Sequence, residues 1–423
     1  MNRTLPILLC LSLLAGCGED AADQKAVDDD RLSAAEPSLE GEPLVFSADN
    51  TYLPLTLPVP RGNEYRSDLA LLPQDATFAA LTTEFGGTVL TMPILDETDA
   101  RFDPDGARMN PSRYQPKKRM GDLFDEIEEH VTDKGHTAWS QYVLVFDLFR
   151  VSETWLVRWD GKLITQFDQP GEYGLWRDDM REEIIEAMID GIDEASEDHT
   201  VTHVVVGNEM ERLLLGATPT RKWPNSPTEF ANFVSFYAEA RAAIKEAHPN
   251  VKVSAGLNYD RLISHVAARY TETGDRATVT WSERRYAWEQ IAETLYADAD
   301  FLALSSEPDP DEFQADANNI PDGHYAMLAE YQGDRPIVWY AVNWPVNSDA
   351  EKSLQRTYLE RFKVLNAGLD IELVAYRRLQ DLDEASCNSV IKALNGPITD
   401  CTAGMFRISG APGFTYDVIG ARE

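Results

Sequence analysis

A polar turn directly after an apolar run is the first stretch of this sequence that could carry chemistry. The apolar residues 204–206 are followed at once by Gly207, Asn208 and Glu209. A short run of β-branched residues closed by a glycine is typical of a buried parallel strand. Polar side chains just past the carboxyl end of such a strand lie where α/β barrels collect their functional groups. The stretch therefore predicts a functional site around Asn208 and Glu209.

Strands and helices alternate along the chain and predict the scaffold that would position these side chains. The predicted strands cover residues 44–49 (with 68–72 as the alternative first strand), 88–94, 142–149, 201–206, 251–256, 301–305, 336–340 and 371–376. The predicted helices cover residues 75–85, 120–133, 177–197, 227–248, 284–296, 323–331 and 349–367. Eight strands in alternation with helices favour an α/β fold, a (β/α)8 TIM barrel with insertions. The main alternative is an open doubly wound sheet, but no Gly-x-Gly-x-x-Gly or Walker loop follows the first strand.

Three predicted strand ends resemble those of clan A glycoside hydrolases, in particular the endo-galactanase-like enzymes. Gly-Asn-Glu at 207–209 resembles the end of their fourth strand, and Phe-Leu-Ala-Leu-Ser-Ser at 301–306 resembles their sixth. Pro-Ile-Val-Trp-Tyr-Ala-Val-Asn-Trp-Pro at 336–345 resembles their seventh strand, which ends in Glu-x-x-Trp-Pro. The resemblance implies that Glu209 is the acid/base and that Asn208 binds the sugar 2-hydroxyl.

One position departs from the pattern of that group. The slot of the nucleophilic glutamate is Ala341 here. A retaining glycosidase needs two carboxyl groups about 5–5.5 Å apart, one to protonate the leaving oxygen and one to attack the sugar. A methyl group can do neither, so hydrolysis would need a different partner for Glu209. The resemblance covers most of residues 44–385 as topology; as a sequence motif it rests on two of these short segments.

Other carboxylates could replace the missing one. Glu307 follows the predicted sixth strand, Asp147 ends the third, and Asp381 follows the eighth. A carboxyl group about 6.5–9.5 Å from Glu209 would permit an inverting arrangement, and Glu307 is the favoured candidate. The alternative for Glu307 is a solvated acid on an acidic loop. The alternative for Glu209 is a strand-end carboxylate that holds a loop, for example through Arg212.

Aromatic residues near the predicted strand ends support a carbohydrate cleft. Sugar rings present apolar C–H faces that stack on aromatic planes, although each such residue taken alone is more often part of a core. The residues expected to bind substrate are Asn208, Asp147, Tyr259, Trp339, Tyr340, Asn343, Trp344 and Tyr376. Arg377 and Arg378 could bind acidic groups of a substrate or pair with the abundant carboxylates.

The N-terminus predicts export. Residues 5–14 form an apolar stretch too short to span a bilayer, and it ends in Leu-Ala-Gly followed by Cys17. This ending resembles the bacterial lipoprotein signal, which implies that Cys17 is lipidated; the glycine after it implies the outer membrane of a Gram-negative host. The alternative is an ordinary signal peptide with a chance cysteine. Residues 18–42 are acidic and lack aromatics, which predicts a disordered tether ahead of a barrel at 43–423.

The cysteine content agrees with export. Apart from Cys10 and Cys17 in the signal region, the chain has Cys387 and Cys401. Two cysteines in an exported chain predict one disulfide, which would stabilise the fold by about 3 kcal/mol. The alternative is a pair of free thiols.

Composition excludes several other classes of function. The net charge is −34, which would repel phosphate backbones, so we expect no nucleic-acid partner. Gly-x-Ser-x-Gly and His-Glu-x-x-His motifs are absent, and we expect no metal and no cofactor. We expect a monomer that meets the membrane through its lipid alone.

Two hypotheses follow for the function. The first is an exported, lipid-anchored glycoside hydrolase-like barrel that acts on a poly- or oligosaccharide, with Glu209 and Glu307 as the catalytic candidates. The second is a non-catalytic carbohydrate-binding or scaffold lipoprotein with a degenerate glycosidase site. Ala341 favours the second, and the intact Asn208-Glu209 pair favours the first.

Overall fold

The computed structural model of the protein describes residues 39–56, 84–93, 124–125, 139–148, 175, 178–215, 227–269, 276, 279–346, 348, 351–380, 404–406 and 418–419. Several predictions concern residues outside these ranges. They are the lipidation of Cys17, the tether up to residue 38, the alternative first strand, the candidate acid Asp381 and the Cys387–Cys401 disulfide.

Eight parallel strands close into a barrel in chain order. They are β1 (Thr51–Thr56), β2 (Gly87–Pro93), β3 (Gln141–Asp147), β4 (Thr200–Val206), β5 (Lys252–Asn258), β6 (Leu302–Ser306), β7 (Ile337–Val342) and β8 (Ile371–Tyr376). The barrel closes where β1 pairs in parallel with β8. The predicted (β/α)8 barrel is therefore confirmed, and every strand after the first lies within two residues of its predicted bounds.

Helices follow most of the strands and cover the outside of the barrel. They are α1 (Asp178–Ser196), α2 (Arg212–Leu215), α3 (Pro227–Ala247), α4 (Ala267–Arg269), α5 (Trp281–Trp288), α6 (Thr294–Tyr296), α7 (Ala326–Gln332) and α8 (Lys352–Leu365), with π-helical turns at Arg261–Val266 and Glu289–Glu293 and a 3-10 turn at Ala317–Asn319. Two short strands, β9 (Arg378–Gln380) and β10 (Gly404–Phe406), pair beside the barrel. Among the described residues, no helix has the length and hydrophobicity to cross a bilayer.

The first strand is the element that the sequence misplaced. The prediction of 44–49 is wrong, because β1 is the next segment, Thr51–Thr56, which pairs with β2 from Tyr52 onwards. Pro54 lies inside β1 and lacks a backbone N–H, a feature that normally argues against a strand inside a sheet. Residues 44–49 lead instead into a turn, in which the Ser47 N–H donates to Asn50 Oδ1 at 2.8 Å.

Two apolar layers hold the barrel. The interior is filled by alternate strand residues, namely Tyr52, Val89, Val143, Val145, Val205, Phe301, Ala303, Val338, Tyr340, Leu373 and Ala375. The intervening strand residues, such as Val204 and Val206, face outwards and pack with helix side chains such as Ile192 and Phe233. Because both faces of each strand are buried, the strands read as continuous apolar runs.

An N-terminal strap, residues 39–50, packs against the end of the barrel where the strands begin. The Leu44 N–H donates to the Lys363 carbonyl in the last turn of α8 at 2.9 Å. Gly41 lies so close to Gly368 that a Cβ on Gly41 would be 2.6 Å from the Gly368 nitrogen. Gly368 precedes β8, so the described chain enters at the base of the barrel, and Glu209 lies at the opposite end.

Candidate functional site

The turn after β4 that carries Glu209 is tightly wound. Gly207 has a φ of +79°, where a Cβ would lie 2.7 Å from the Met210 side chain. In β5, a Cβ on Gly256 would lie 2.5 Å from the Gly207 carbonyl oxygen, so glycine permits this close approach. Glu209 itself has a φ of 54°. Such a conformation costs a non-glycine residue about 1–3 kcal/mol and is found mainly where the surroundings enforce it, often at functional sites.

Glu209 is fully buried and is held on all sides. Its carboxylate forms ion pairs with Arg212, Arg261 and Arg377. Ser305 Oγ and Asn258 Nδ2 also donate to its Oε1, at 3.0 Å and 3.2 Å. The side chains that the sequence placed at separate strand ends therefore converge on one carboxylate.

This environment fixes the charge of Glu209. Burial alone would raise the pKa of its carboxyl, but Arg212, Arg261 and Arg377 together hold that pKa well below its usual range. The three arginines therefore favour the ionised form of Glu209. A general acid in glycoside hydrolysis needs a raised pKa so that it can deliver a proton, and Glu209 has the opposite property.

Arg261 is the centre of the charged cluster. It lies in the π-helical turn after β5, and its side chain is 5% exposed. Its guanidinium contacts Glu209, Glu307 and, at 3.6 Å, Glu211 Oε1. Burial raises the pKa of the Glu211 carboxyl to about 7, although Arg261 lowers it and the nearby Glu209 anion raises it further. One buried guanidinium thus joins three carboxylates from two strand ends.

Glu307 is the more accessible of the two candidate catalytic carboxylates. It is 9% exposed and binds Arg261 through Oε2, while Asn343 Nδ2 donates to its Oε1 at 3.2 Å. Arg377 Nη1 lies 3.0 Å from Glu209 Oε1 and 3.7 Å from Glu307 Oε2, so these oxygens are at most about 7 Å apart, within reach of one glycosidic bond. The prediction that Glu307 lies beside Glu209 is consistent with this geometry; its catalytic role stays a prediction.

Ala341 lies at the level of this cluster. It pairs in register with Ser305 of β6, the residue whose hydroxyl donates to Glu209. Its methyl group packs on the apolar interior of the barrel. The nucleophile position therefore faces the site and offers no carboxylate.

The predicted polar substrate-binding residues lie in two pairs at the mouth of the barrel. The mouth is the end where the strands finish and where Glu209 and Glu307 lie. Asn208 Nδ2 donates to Asp147 Oδ2 at 3.0 Å, and both residues are half-buried. Asn343 is buried beside Glu307, and its Oδ1 accepts a hydrogen bond from the Tyr376 hydroxyl at 3.0 Å. The first pair is open to solvent; the second pair supports Glu307 from below.

The structure places four of the aromatic residues predicted to bind substrate in the protein interior. Tyr259, Trp339, Trp344 and Tyr376 are fully buried and leave no ring face open to a sugar. Trp339, for example, packs among other aromatic rings, and its Nε1 donates to Asn366 Oδ1 at 2.9 Å. The position of an aromatic residue at a strand end does not by itself predict whether its ring faces the protein interior or the mouth.

Tyr340 also lies inside the barrel rather than in a cleft. Its side chain belongs to the interior layer, and its hydroxyl accepts a hydrogen bond from the Glu209 N–H at 3.3 Å. It therefore supports the strained turn of Glu209 from beneath.

Several site residues were missed although the sequence carried a signal for them. Asn258 ends β5, and Asp260 and Arg261 follow it, as Asn208 and Glu209 follow β4. The prediction ended that strand at residue 256, two residues early, and so overlooked this polar run. Among the described residues, no group of three or more His, Cys, Asp or Glu side chains is arranged to hold a metal ion.

Sequence comparison gives no relatives: no protein-family model matches the chain, and no curated protein matches it. The fold, by contrast, has solved counterparts. A GH5_18 structure from Streptomyces cattleya in complex with GlcNAc superposes with a TM-score of 0.53 at 11% identity, covering 88% of this chain and 79% of that chain.

Two further structures are similar at lower scores. A GH5_18 from Bifidobacterium longum subsp. infantis has a TM-score of 0.47 at 12% identity, covering 81% of this chain and 71% of that chain. Xylanase 10B from Thermotoga maritima has a TM-score of 0.44 at 10% identity, covering 88% and 94%. At such identities the likeness concerns the fold alone, a closed barrel of eight parallel strands.

Proposed function

We propose that this glycoside hydrolase-like barrel is an exported, lipid-anchored protein that binds a poly- or oligosaccharide at its mouth without cleaving it. The observation that carries the proposal is the state of Glu209. Its carboxylate is buried and forms ion pairs with three arginines, which favour the ionised form, whereas a glycosidase acid must hold a proton. With Ala341 in the nucleophile position, both halves of the expected catalytic pair are missing.

The open side chains at the mouth support a carbohydrate ligand. Asp147, Asn208 and Arg377 are partly exposed, and Glu307 borders them. Carboxylate, amide and guanidinium groups can accept from or donate to sugar hydroxyls, so the set suits a polar ligand. The solved counterpart from Streptomyces cattleya contains GlcNAc, which makes GlcNAc oligosaccharides a natural first probe.

A binding and turnover screen tests the proposal. Wild-type protein is titrated by calorimetry with GlcNAc oligosaccharides and xylan fragments, and is incubated with aryl glycosides. We expect binding that Asn208→Ala weakens about tenfold and that Asp311→Asn, an exposed acid after β6, leaves unchanged. We expect no release of the aryl group. Absence of any glycan binding would reject the proposal.

Hydrolysis is the second candidate, and one observation favours it. Glu307 is 9% exposed and its Oε2 is at most about 7 Å from Glu209 Oε1, which could place two carboxyl groups around one glycosidic bond. Turnover of an aryl glycoside that disappears in Glu307→Gln would replace the binding proposal with this one. Turnover that persists in Glu307→Gln and in Glu209→Gln would exclude both carboxylates.

The lipid anchor is proposed from the sequence around Cys17. Its test is independent of the sugar: Cys17→Ser should shift the protein from the membrane fraction to the soluble fraction. Continued membrane association of Cys17→Ser would contradict lipid anchoring and leave the sugar proposal standing.

A further inference from the structure

A second buried polar network lies behind the mouth, and the binding proposal makes no use of it. Its centre is Asp260, which follows β5 directly before Arg261 and is 3% exposed. Asp260 accepts three hydrogen bonds at 2.7 Å each: its Oδ2 from Ser306 Oγ and from the Glu307 N–H, and its Oδ1 from His324 Nε2. One buried carboxylate thus joins three separate parts of the chain.

The partners of Asp260 are themselves anchored. Ser306 Oγ lies 2.6 Å from the hydroxyl of Tyr325 and 2.6 Å from that of Tyr358. The His324 carbonyl accepts a hydrogen bond from the Tyr259 hydroxyl at 2.7 Å. These side chains are fully or almost fully buried, so the network is rigid and has no direct access to a ligand.

The network ends at Glu307, whose carboxylate lies at the mouth. Glu307 is the first residue after β6, and its N–H bond to Asp260 fixes the orientation of its backbone. Its carboxylate leaves that backbone towards Arg261 and Asn343. A rotation of this peptide would carry the carboxylate away from both partners.

The element that supplies Asp260 is an unusual one. The π-helical turn Arg261–Val266 begins directly after it. Single π-helical turns are rare and occur frequently at functional sites. Here the two consecutive residues at the start of the turn both bind Glu307. Asp260 accepts a hydrogen bond from its backbone N–H, and Arg261 binds its carboxylate.

We propose that Asp260 is a positioning residue of the mouth, which sets the place of the Glu307 carboxylate and thereby the affinity for the ligand without touching the ligand. This inference rests on the proposed carbohydrate binding. An asparagine keeps the shape of the aspartate but loses its charge and offers one acceptor oxygen in place of two, so the Glu307 N–H meets a weaker acceptor or, if the amide is reversed, none.

A double-mutant cycle on ligand affinity tests the inference. Asp260→Asn, Glu307→Gln and the double variant are titrated with GlcNAc oligosaccharides and xylan fragments. We expect Asp260→Asn to weaken binding about tenfold in the wild-type background and less than twofold in the Glu307→Gln background, because coupled residues are not additive. Equal losses in both backgrounds would mean a merely structural role and would overturn the inference.

A matched control and a ligand-free measurement complete the test. Tyr325→Phe removes one hydroxyl from the same network without touching Glu307, and should leave the affinity within about twofold. If wild-type protein binds neither probe, the binding proposal fails, and a crystal structure of Asp260→Asn still decides the inference. We expect the Glu307 carboxylate displaced from Asn343 with Glu209 unmoved; an unmoved Glu307 would overturn it.

Discussion

Two charged clusters occupy opposite ends of the barrel and are built differently. The mouth cluster consists of Glu209, Glu211, Glu307, Arg212, Arg261 and Arg377. The base cluster consists of His203, Lys252 and Glu372. In the mouth cluster no side chain is more than 15% exposed, whereas at the base Lys252 is 42% and Glu372 30% exposed.

The difference shows which end carries charges that stability alone does not require. Burying several charges is costly, and well-packed apolar side chains would often serve stability equally well or better. Half-exposed pairs such as those at the base cost little to desolvate and contribute little. The buried mouth cluster, which is costly to desolvate, lies at the carboxyl ends of the strands, the end where barrels of this kind carry function.

Removing the centre of the mouth cluster should give the largest effect. Arg261→Met leaves Glu209 and Glu307 without their shared cation, and we expect a loss of about 3–5 kcal/mol in the free energy of unfolding. Urea unfolding measures it. Arg285→Met removes a half-exposed arginine that pairs with Glu289 and should cost less than about 1 kcal/mol. Similar losses in both variants would erase the distinction between buried and exposed clusters.

The pH dependence of the mouth should be the next largest effect. The pKa of Glu211 is raised to about 7. The contribution of Glu211 to the free energy of unfolding is therefore complete below its ordinary pKa and is lost as the pH rises through about 7. Glu211→Gln should therefore abolish a decline on the order of 3 kcal/mol between pH 5 and 8. Unfolding curves at a series of pH values measure this decline. A parallel decline in both proteins would assign it to other groups.

The base cluster should respond in the opposite pH direction and more weakly. Burial would raise the pKa of Glu372, but His203 and Lys252 lower it to about 2. Its contribution is therefore present above its ordinary pKa and is lost as the pH falls towards about 2. Glu372→Gln should cost about 1 kcal/mol at pH 7 and nothing near pH 2. A loss that matched that of Arg261→Met would make the two ends equivalent.

The sequence predicted the scaffold well because apolar runs and strand ends are local properties. Val204–Val206 followed by Gly207 is readable as a buried strand in isolation, and the closing strand Ile371–Tyr376 was placed to the residue. The prediction of the first strand was wrong because Pro54 makes the true strand, β1, look unlike a strand in the sequence. The barrel nevertheless followed, since eight alternating units admit few other arrangements.

The site was predicted in its position and not in its electrostatics. That Glu209, Ser305 and Arg377 lie at one mouth follows from strand ends alone. That three arginines meet on Glu209 depends on side-chain directions after β5 and β8, which no local pattern encodes. The same limit explains Trp339 and Tyr340, since a ring at a strand end can face the helices, the interior or the solvent.

The N-terminal strap gives the barrel a polarity with respect to its proposed anchor. The chain enters at the base, where Gly41 lies against Gly368 and Leu44 is bonded to Lys363. Cys17, the residue proposed to carry the lipid, precedes this strap in the chain. With a lipid on Cys17, the base of the barrel would be the end at which the anchored segment joins the domain. Its mouth would point away from the lipid surface, where a long polymer could cross it without meeting the membrane.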